Sequence, residues 1–244
     1  MSGLVTSHVT DRVGVLSFNR PDKHNALSDE LLAEWRVALG ALARDAGVRA
    51  IVLRGEGPSF SSGRDITQLG RRPHGESDAE FVGREQQEAL ALRRIPKPVV
   101  AALRGWVLGG ALELALHADL RVAAPDARLG LPEIGFDILP DLGGIALLHA
   151  LIGPERTKHL VLTGETISGE TAALWGLVSE LVADDELDAH AGAIATVLAD
   201  RDPAAVERAK ALVDSLTDEQ LEQEMANELR TQVELFGRRA RGAP

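Results

Sequence analysis

The sequence predicts one α/β domain that ends in helices, and three observations lead there. Short apolar segments of strand length alternate with amphipathic stretches over the first part of the chain. From about Asp200 onward only helical patterns follow. The 244 residues, 45% of them hydrophobic and 26% charged, are enough to bury one sizeable core.

Val13 to Phe18 and Ala50 to Arg54 read as apolar strands bounded by turn-forming residues. Between them, Asp29 to Ala43 places Leu31, Leu32, Trp35, Ala38, Leu39 and Leu42 on one helical face. Ser28 stands at the N-cap position and Gly47 follows the end. Such a β-α-β unit favours parallel strands joined by a right-handed crossover. Residues 67 to 82 are polar and contain glycine, which predicts a mobile loop, with a helix from Phe81 to Ile95 stopping before Pro96. Pro98 to Leu103 reads as a buried strand, Gly109 to His117 as a helix, and Leu120 to Ala123 and Ser179 to Val182 as strands. Pro203 to Leu216 and Asp218 to Arg239 complete the chain as two helices, giving a core over 1–199 and a helical region over 200–244. The apolar stripe Leu221, Met225, Leu229, Val233 and Phe236 needs a partner surface, on the same domain or on another subunit.

Composition narrows the function. A net charge of −11 opposes wholesale binding to nucleic acid or an anionic membrane. Local basic clusters remain for an anionic ligand: Arg20 with Lys23, Arg71 with Arg72, Arg93 and Arg94 with Lys97, and Arg238 and Arg239 with Arg241. The absence of cysteine rules out disulfides, thiolate nucleophiles and cysteine-built metal sites. No apolar run reaches the roughly 20 residues of a membrane span. The start of the sequence lacks a basic segment followed by an apolar one, so no secretory signal is expected, and a cytoplasmic location is compatible. The seven histidines are scattered without metal-binding spacing, so no metal is expected. Ser61 and Ser62 lie near a glycine, but no Gly-x-Ser-x-Gly elbow supports a serine hydrolase.

Two glycine turns carry the chemistry. Ser59 to Ile66 follows a strand, and Gly63 permits backbone angles barred to other residues. Gly105 to Ala115 follows another strand and opens a helix, whose free first amides and dipole suit developing negative charge. Together the two turns offer backbone N–H groups for one carbonyl oxygen, as a thioester enolate requires. Acids stand close by in sequence. Glu113 lies one helical turn beyond Gly110, where an acid is also an ordinary dipole partner. Glu133 sits in a turn among apolar residues that would raise its pKa, and Asp141 precedes a helix starting near Gly143 that it is placed to cap.

These segments resemble the crotonase superfamily, the enoyl-CoA hydratase/isomerase family. The likeness runs through Asn19 to Leu27, Phe60 to Ile66, Gly105 to Glu113, Ala118 to Ala123, Leu131 to Gly144, Leu162 to Ser168 and Ala173 to Val178. It implies a crotonase-type spiral of ββα turns with a C-terminal helical region, assembled as a homotrimer or a dimer of trimers. It implies an acyl-CoA thioester substrate and no separate cofactor, coenzyme A being part of the substrate. Oxyanion amides fall on Arg64 and Gly110, and Lys23, His24, Asn25, Ala26, Leu27, Arg64, Asp65, Ile66, Thr67 and Gly109 line the substrate and CoA path. Glu113 and Glu133 correspond to the two glutamates that guide water onto an enoyl double bond. Two positions depart from the hydratase pattern: Asp141 and Asp137 stand where glycine is common. Asp141 resembles isomerases and dehalogenases of the family, and Arg64 is large where many relatives are small. Hydration of a 2-trans-enoyl-CoA is thus the leading expectation; double-bond isomerisation using Asp141 and non-catalytic binding of an acyl-CoA are the alternatives.

Overall fold

The computed structural model describes residues 3–240, so Arg241 of the last basic cluster, like the final residues of the helical region, lies outside it. The chain builds a six-stranded sheet and a three-stranded sheet, with helices packed against both. The order in the large sheet is β1 (Val5–Thr10), β2 (Val13–Phe18), β3 (Ala50–Gly55), β4 (Val99–Leu103), β6 (Leu120–Ala123) and β9 (Glu180–Leu181). Within this sheet, among the described residues, only the β1–β2 hairpin is antiparallel; the other pairings are parallel, as the β-α-β reading requires. The small sheet joins β5 (Trp106–Leu108), β7 (Arg128–Gly130) and β8 (Thr166–Ser168).

A spiral results because the chain repeatedly leaves the large sheet, touches the small one and enters a helix. Leu27 bridges Arg64, Ser61 bridges Val107, Val107 pairs Leu129, and Leu129 pairs Ile167, so successive turns stack. The helices entered are α1 (Asp29–Arg44), α2 (Asp78–Arg93), α3 (Gly110–Leu116), α4 (Gly144–Thr163) and α5 (Gly169–Trp175). α6 (Leu187–Ala199), α7 (Pro203–Asp214) and α8 (Asp218–Ala240) follow. β2 to β4 are largely apolar on both faces, and β4 is buried throughout, because helices cover the sheet; the edge strand β9 is exposed.

Local chemistry fixes the helix starts. Ser28 accepts from Leu31 N and caps α1 as its sequence position indicated. α2 begins at Asp78, three residues before the expected Phe81, because Ser77 and Glu80 close a reciprocal capping box. The expected loop over 67–82 is correspondingly shorter, and it opens with a turn of 3₁₀ helix over Ile66–Gln68. It is also tied down: Arg72 pairs with Asp78 at 2.6 Å and Arg84 with Glu76 at 2.9 Å. α4 carries a break at Gly153, which has φ +78° ahead of Pro154.

The C-terminal helix folds back onto its own domain, packing on α2 and α4. Its buried line differs from the expected apolar stripe. Leu221 and Met225 are buried as read, but the line continues through Glu228 and Gln232, while Leu229, Val233 and Phe236 are only half-buried. Two polar side chains on the inward face of a helix demand partners. Their partners belong to the site.

Candidate active site

The turn after β3 and the turn before α3 lie against each other. Gly63 has φ +85°, and a Cβ there would stand 2.5 Å from Leu108 O and 3.7 Å from Gly109 Cα. Only glycine permits that approach. The bridge to Leu27 uses Gly63 O and Asp65 N, at 2.8 and 3.0 Å, so the N–H of the intervening Arg64 faces away from Leu27. Gly110 N is the first amide of α3 and has no intrahelical acceptor. The N-cap Gly109 adopts φ 54° and ψ −133°, a conformation open mainly to glycine.

Glu133 presses on that same helix start. A Cβ on Gly109 would lie 2.5 Å from Glu133 Oε1. Glu133 belongs to a 3₁₀ turn over Pro132–Phe136, and its Oε2 is buried without a hydrogen-bond partner among the described residues. Burial, with the Asp141 carboxyl nearby, lifts its pKa well above the usual carboxylate range. The 3₁₀ turn closes at Asp137, which sits at φ 57°; that left-handed conformation is the reason glycine suits the position.

Glu113, 1% exposed, is oriented differently. Its Oε1 accepts from Leu142 N and Gly144 N, both at 2.9 Å. Burial and the Glu133 carboxyl raise its pKa, while the two amides favour its charged form. Both carboxyls are raised to about 8, and they differ in their partners: Glu113 Oε1 accepts from two amides, whereas Glu133 Oε2 is buried without one among the described residues.

Asp141 does not cap α4. The N-cap is Gly143, and the free amides of this helix start are taken by the carboxylates of Glu113 and Glu228. Glu228 Oε2 accepts from Gly143 N at 2.8 Å. A helix N-terminus with its positive dipole end favours both acids there. Asp141 instead faces the cavity, receives a hydrogen bond from Gln232, and is raised well above its usual range by burial and by the neighbouring Glu113 and Glu85 carboxyls. Gln232 also accepts from Leu139 N at 3.1 Å. Gln86 of α2 donates to Asp141 O at 2.8 Å and Met225 O at 2.7 Å, locking loop, α2 and α8 together.

A cavity of about 400 Å³ joins these groups. Glu113, Glu133, Asp141, Arg64 and Gly110 line it, with apolar walls from Leu27, Leu32, Trp35, Leu69, Phe81, Ile138 and Phe236. Arg72 lies over the ring of Phe81 at 4.3 Å and that of Phe236 at 4.7 Å, linking α2 and α8 across one side.

The other expected binding residues divide in two. Lys23, His24, Ile66 and Thr67 are exposed beside the Arg64 turn, Ile66 by 66%. Asn25 is fully buried and turned inward: Nδ2 donates to Glu56 O and Ser59 O, and Oδ1 accepts from Arg20 N. It shapes the turn and offers no surface to a ligand. Asp65 is likewise engaged, with Arg20 at 2.7 Å and with Thr67, and those hydrogen bonds hold its pKa down at about 2. Ala26 is half-buried.

Sequence reasoning did not single out Glu228, Gln232 and Gln86. The available signal was position: 225, 228 and 232 share one helical face, and polar residues on the face of Met225 are unusual. Among the described residues no cluster of histidine, aspartate and glutamate has metal-binding geometry.

A glycine-cradled helix start thus stands beside buried acids in one cavity, and comparison with known proteins gives the class of enzyme. The family model described as enoyl-CoA hydratase/isomerase matches residues 9–242. A probable enoyl-CoA hydratase of Bacillus subtilis is 39% identical, over 78% of this chain and 74% of that one. The 2,3-dehydroadipyl-CoA hydratase of Escherichia coli is 34% identical, over 86% and 81%. The crystal structure of an enoyl-CoA hydratase/isomerase from Xanthobacter autotrophicus superposes with a TM-score of 0.88 at 32% identity, covering 96% of this chain and 88% of that chain. The chain belongs to the enoyl-CoA hydratase/isomerase family, and its fold is the crotonase-type α/β spiral.

Proposed function

We propose that this protein adds water across the double bond of a 2-trans-enoyl-CoA. The observation that carries the reading is the packing of the Glu133 carboxyl on Gly109, at the helix start whose first amide is Gly110, with Glu113 in the same cavity.

In this mechanism the thioester oxygen accepts from Arg64 N and Gly110 N. Glu113, kept as an acceptor by Leu142 N and Gly144 N, takes a proton from water as its oxygen bonds to C3. The π electrons move onto the thioester oxygen, where the two amides stabilise them; one such donor is worth roughly a hundred- to a thousand-fold in rate. Glu133 then gives its proton to C2. Hydroxide and proton together make one water, and the two carboxyls are restored by passing a proton through solvent. Coenzyme A enters as part of the substrate, and the balance calls for no other cofactor.

Asp141 supports a second reading. Its carboxyl, raised well above its usual range by burial, faces the same cavity, held by Gln232, and three acids around one acyl group can carry a proton between carbons. Double-bond isomerisation is that alternative. Pure binding of an acyl-CoA, the third, leaves the burial of two acids without a purpose. Incubation with enoyl- and dienoyl-CoA esters in deuterated water separates them: hydration adds the mass of heavy water, migration exchanges hydrogen alone, and a binder changes neither. Absence of the hydrated product would reject the leading assignment. The same family reading carries assembly as a homotrimer or a dimer of trimers.

The relatives differ in the acyl group for which they are named. One is named for 2,3-dehydroadipyl-CoA, one for crotonyl-CoA, one for short-chain enoyl-CoA and others for enoyl-CoA alone.

A further inference from the structure

The side chain of Arg64 follows a course that its backbone role does not explain. One guanidinium nitrogen, Nη2, pairs with Asp29 at the start of α1, and the group lies 5.6 Å from the centre of the Phe81 ring. The other terminal nitrogen, Nη1, is buried and has no hydrogen-bond partner among the described residues. Trp35, which stands on α1 six residues beyond Asp29 and is 1% exposed, repeats the pattern: its indole Nε1 is buried without a partner. Both side chains line the same cavity as the acids.

Arginine and tryptophan nitrogens only donate. Buried donors in folded proteins are nearly always matched, whereas these two are already shut off from water and unmatched, and an alkyl tail in the cavity would bring them no acceptor. A purely aliphatic pocket would be built without either group. Asp29 already balances the Arg64 charge, so what remains on this wall is donor capacity rather than unneutralised charge.

We infer that the acyl group of the substrate carries a hydrogen-bond-accepting oxygen beyond its reacting double bond, received by Arg64 Nη1 and Trp35 Nε1. The inference rests on the reading of the protein as an acyl-CoA enzyme and specifies its substrate class. The apolar parts of the wall, among them Leu27, Leu32, Leu69 and Phe81, contact the carbon skeleton.

Binding of saturated acyl-CoA esters tests this without needing turnover. Hexanoyl-CoA, 5-oxohexanoyl-CoA and the 5-carboxypentanoyl ester are compared by calorimetry on the intact protein. At least one oxygen-bearing ester is expected to bind ~10-fold or more tighter than hexanoyl-CoA, the size of a hydrogen bond to an otherwise unpaired buried donor. A preference for the oxo ester identifies a neutral acceptor, and a preference for the carboxy ester an anionic one. The ratio is expected to collapse toward unity in Trp35→Phe and in Arg64→Met. A substitution that only loosens the fold weakens all three esters alike, and that result would overturn the inference, as would equal binding of all three by the native protein. Failure of the acyl-CoA reading itself looks different: no ester binds at all.

Discussion

Glu133 rests on Gly109 so closely that the space of a single methyl group separates the native arrangement from a clash: a Cβ at 109 would lie 2.5 Å from Glu133 Oε1. The same glycine has φ 54° and ψ −133°, so conformation and space both exclude a side chain. The proposed proton donor and the proposed oxyanion amide are thus set by one residue.

Gly109→Ala is expected to lower kcat/KM by ~100-fold or more, because the carboxyl must move off the helix start and 1 Å of misplacement is costly. The strained backbone should also cost about 1–3 kcal/mol of stability. Steady-state kinetics and thermal unfolding of the same preparation check both. A fully active alanine variant would detach Glu133 from the chemistry.

Glu133→Gln keeps shape and removes the transferable proton. Loss of ~100- to 10,000-fold in hydration is expected, the range for a positioned acid or base, with a fold unchanged by circular dichroism. Glu113→Gln should lose activity within the same range. Near-native turnover in either variant would reject that residue's role.

Asp141→Asn separates the two leading chemistries. Hydration is expected to fall less than in Glu133→Gln, while any migration of double bonds is lost. The ratio of hydrated to isomerised product, read by mass in deuterated water, decides. A loss of hydration as large as that of Glu133→Gln would place Asp141 among the groups that handle water.

Glu228 predicts a pH dependence of stability. Burial, with Glu113 and Asp141 nearby, pushes its carboxyl up to about 9 from an ordinary value of 4.5. In the window between those values the folded protein keeps a proton that the unfolded chain releases. Stability therefore falls as pH rises through the window. Glu228→Gln cannot titrate, so its decline with pH should be shallower; Glu113, Glu133 and Asp141 shift in the same direction and leave a residual slope. Denaturant unfolding from pH 5 to 9 measures it, and parallel curves for both proteins would contradict the assignment.

Much of this was legible in the residues because local signals dominate where they were read. Val13 to Phe18 and Ala50 to Arg54 are continuous apolar runs, and Ser28 is an N-cap with a helix behind it. The start of α2 was misplaced because the polar run over 67–82 obscured the Ser77–Glu80 capping box inside it. The brief strands β5, β7 and β8 have three residues each, too few for a periodicity. At the site, Glu113, Glu133 and Asp141 were recognised through glycine turns and family likeness, and they line one cavity. Capping was the ordinary expectation for Asp141, yet Glu113 and Glu228 reach that helix start instead. Glu228 comes from 85 residues further along the chain, and no local pattern reports a contact at that distance.

The central claim is that the amides of residues 64 and 110 hold one thioester oxygen beneath the two acids. A crystal structure of the protein with acetoacetyl-CoA bound tests it most directly. That oxygen is expected within about 2.7–3.1 Å of both Arg64 N and Gly110 N, with Glu113 and Glu133 beside the neighbouring carbons. A thioester oxygen that touches neither amide, or nitrogens that open onto separate cavities, would contradict it.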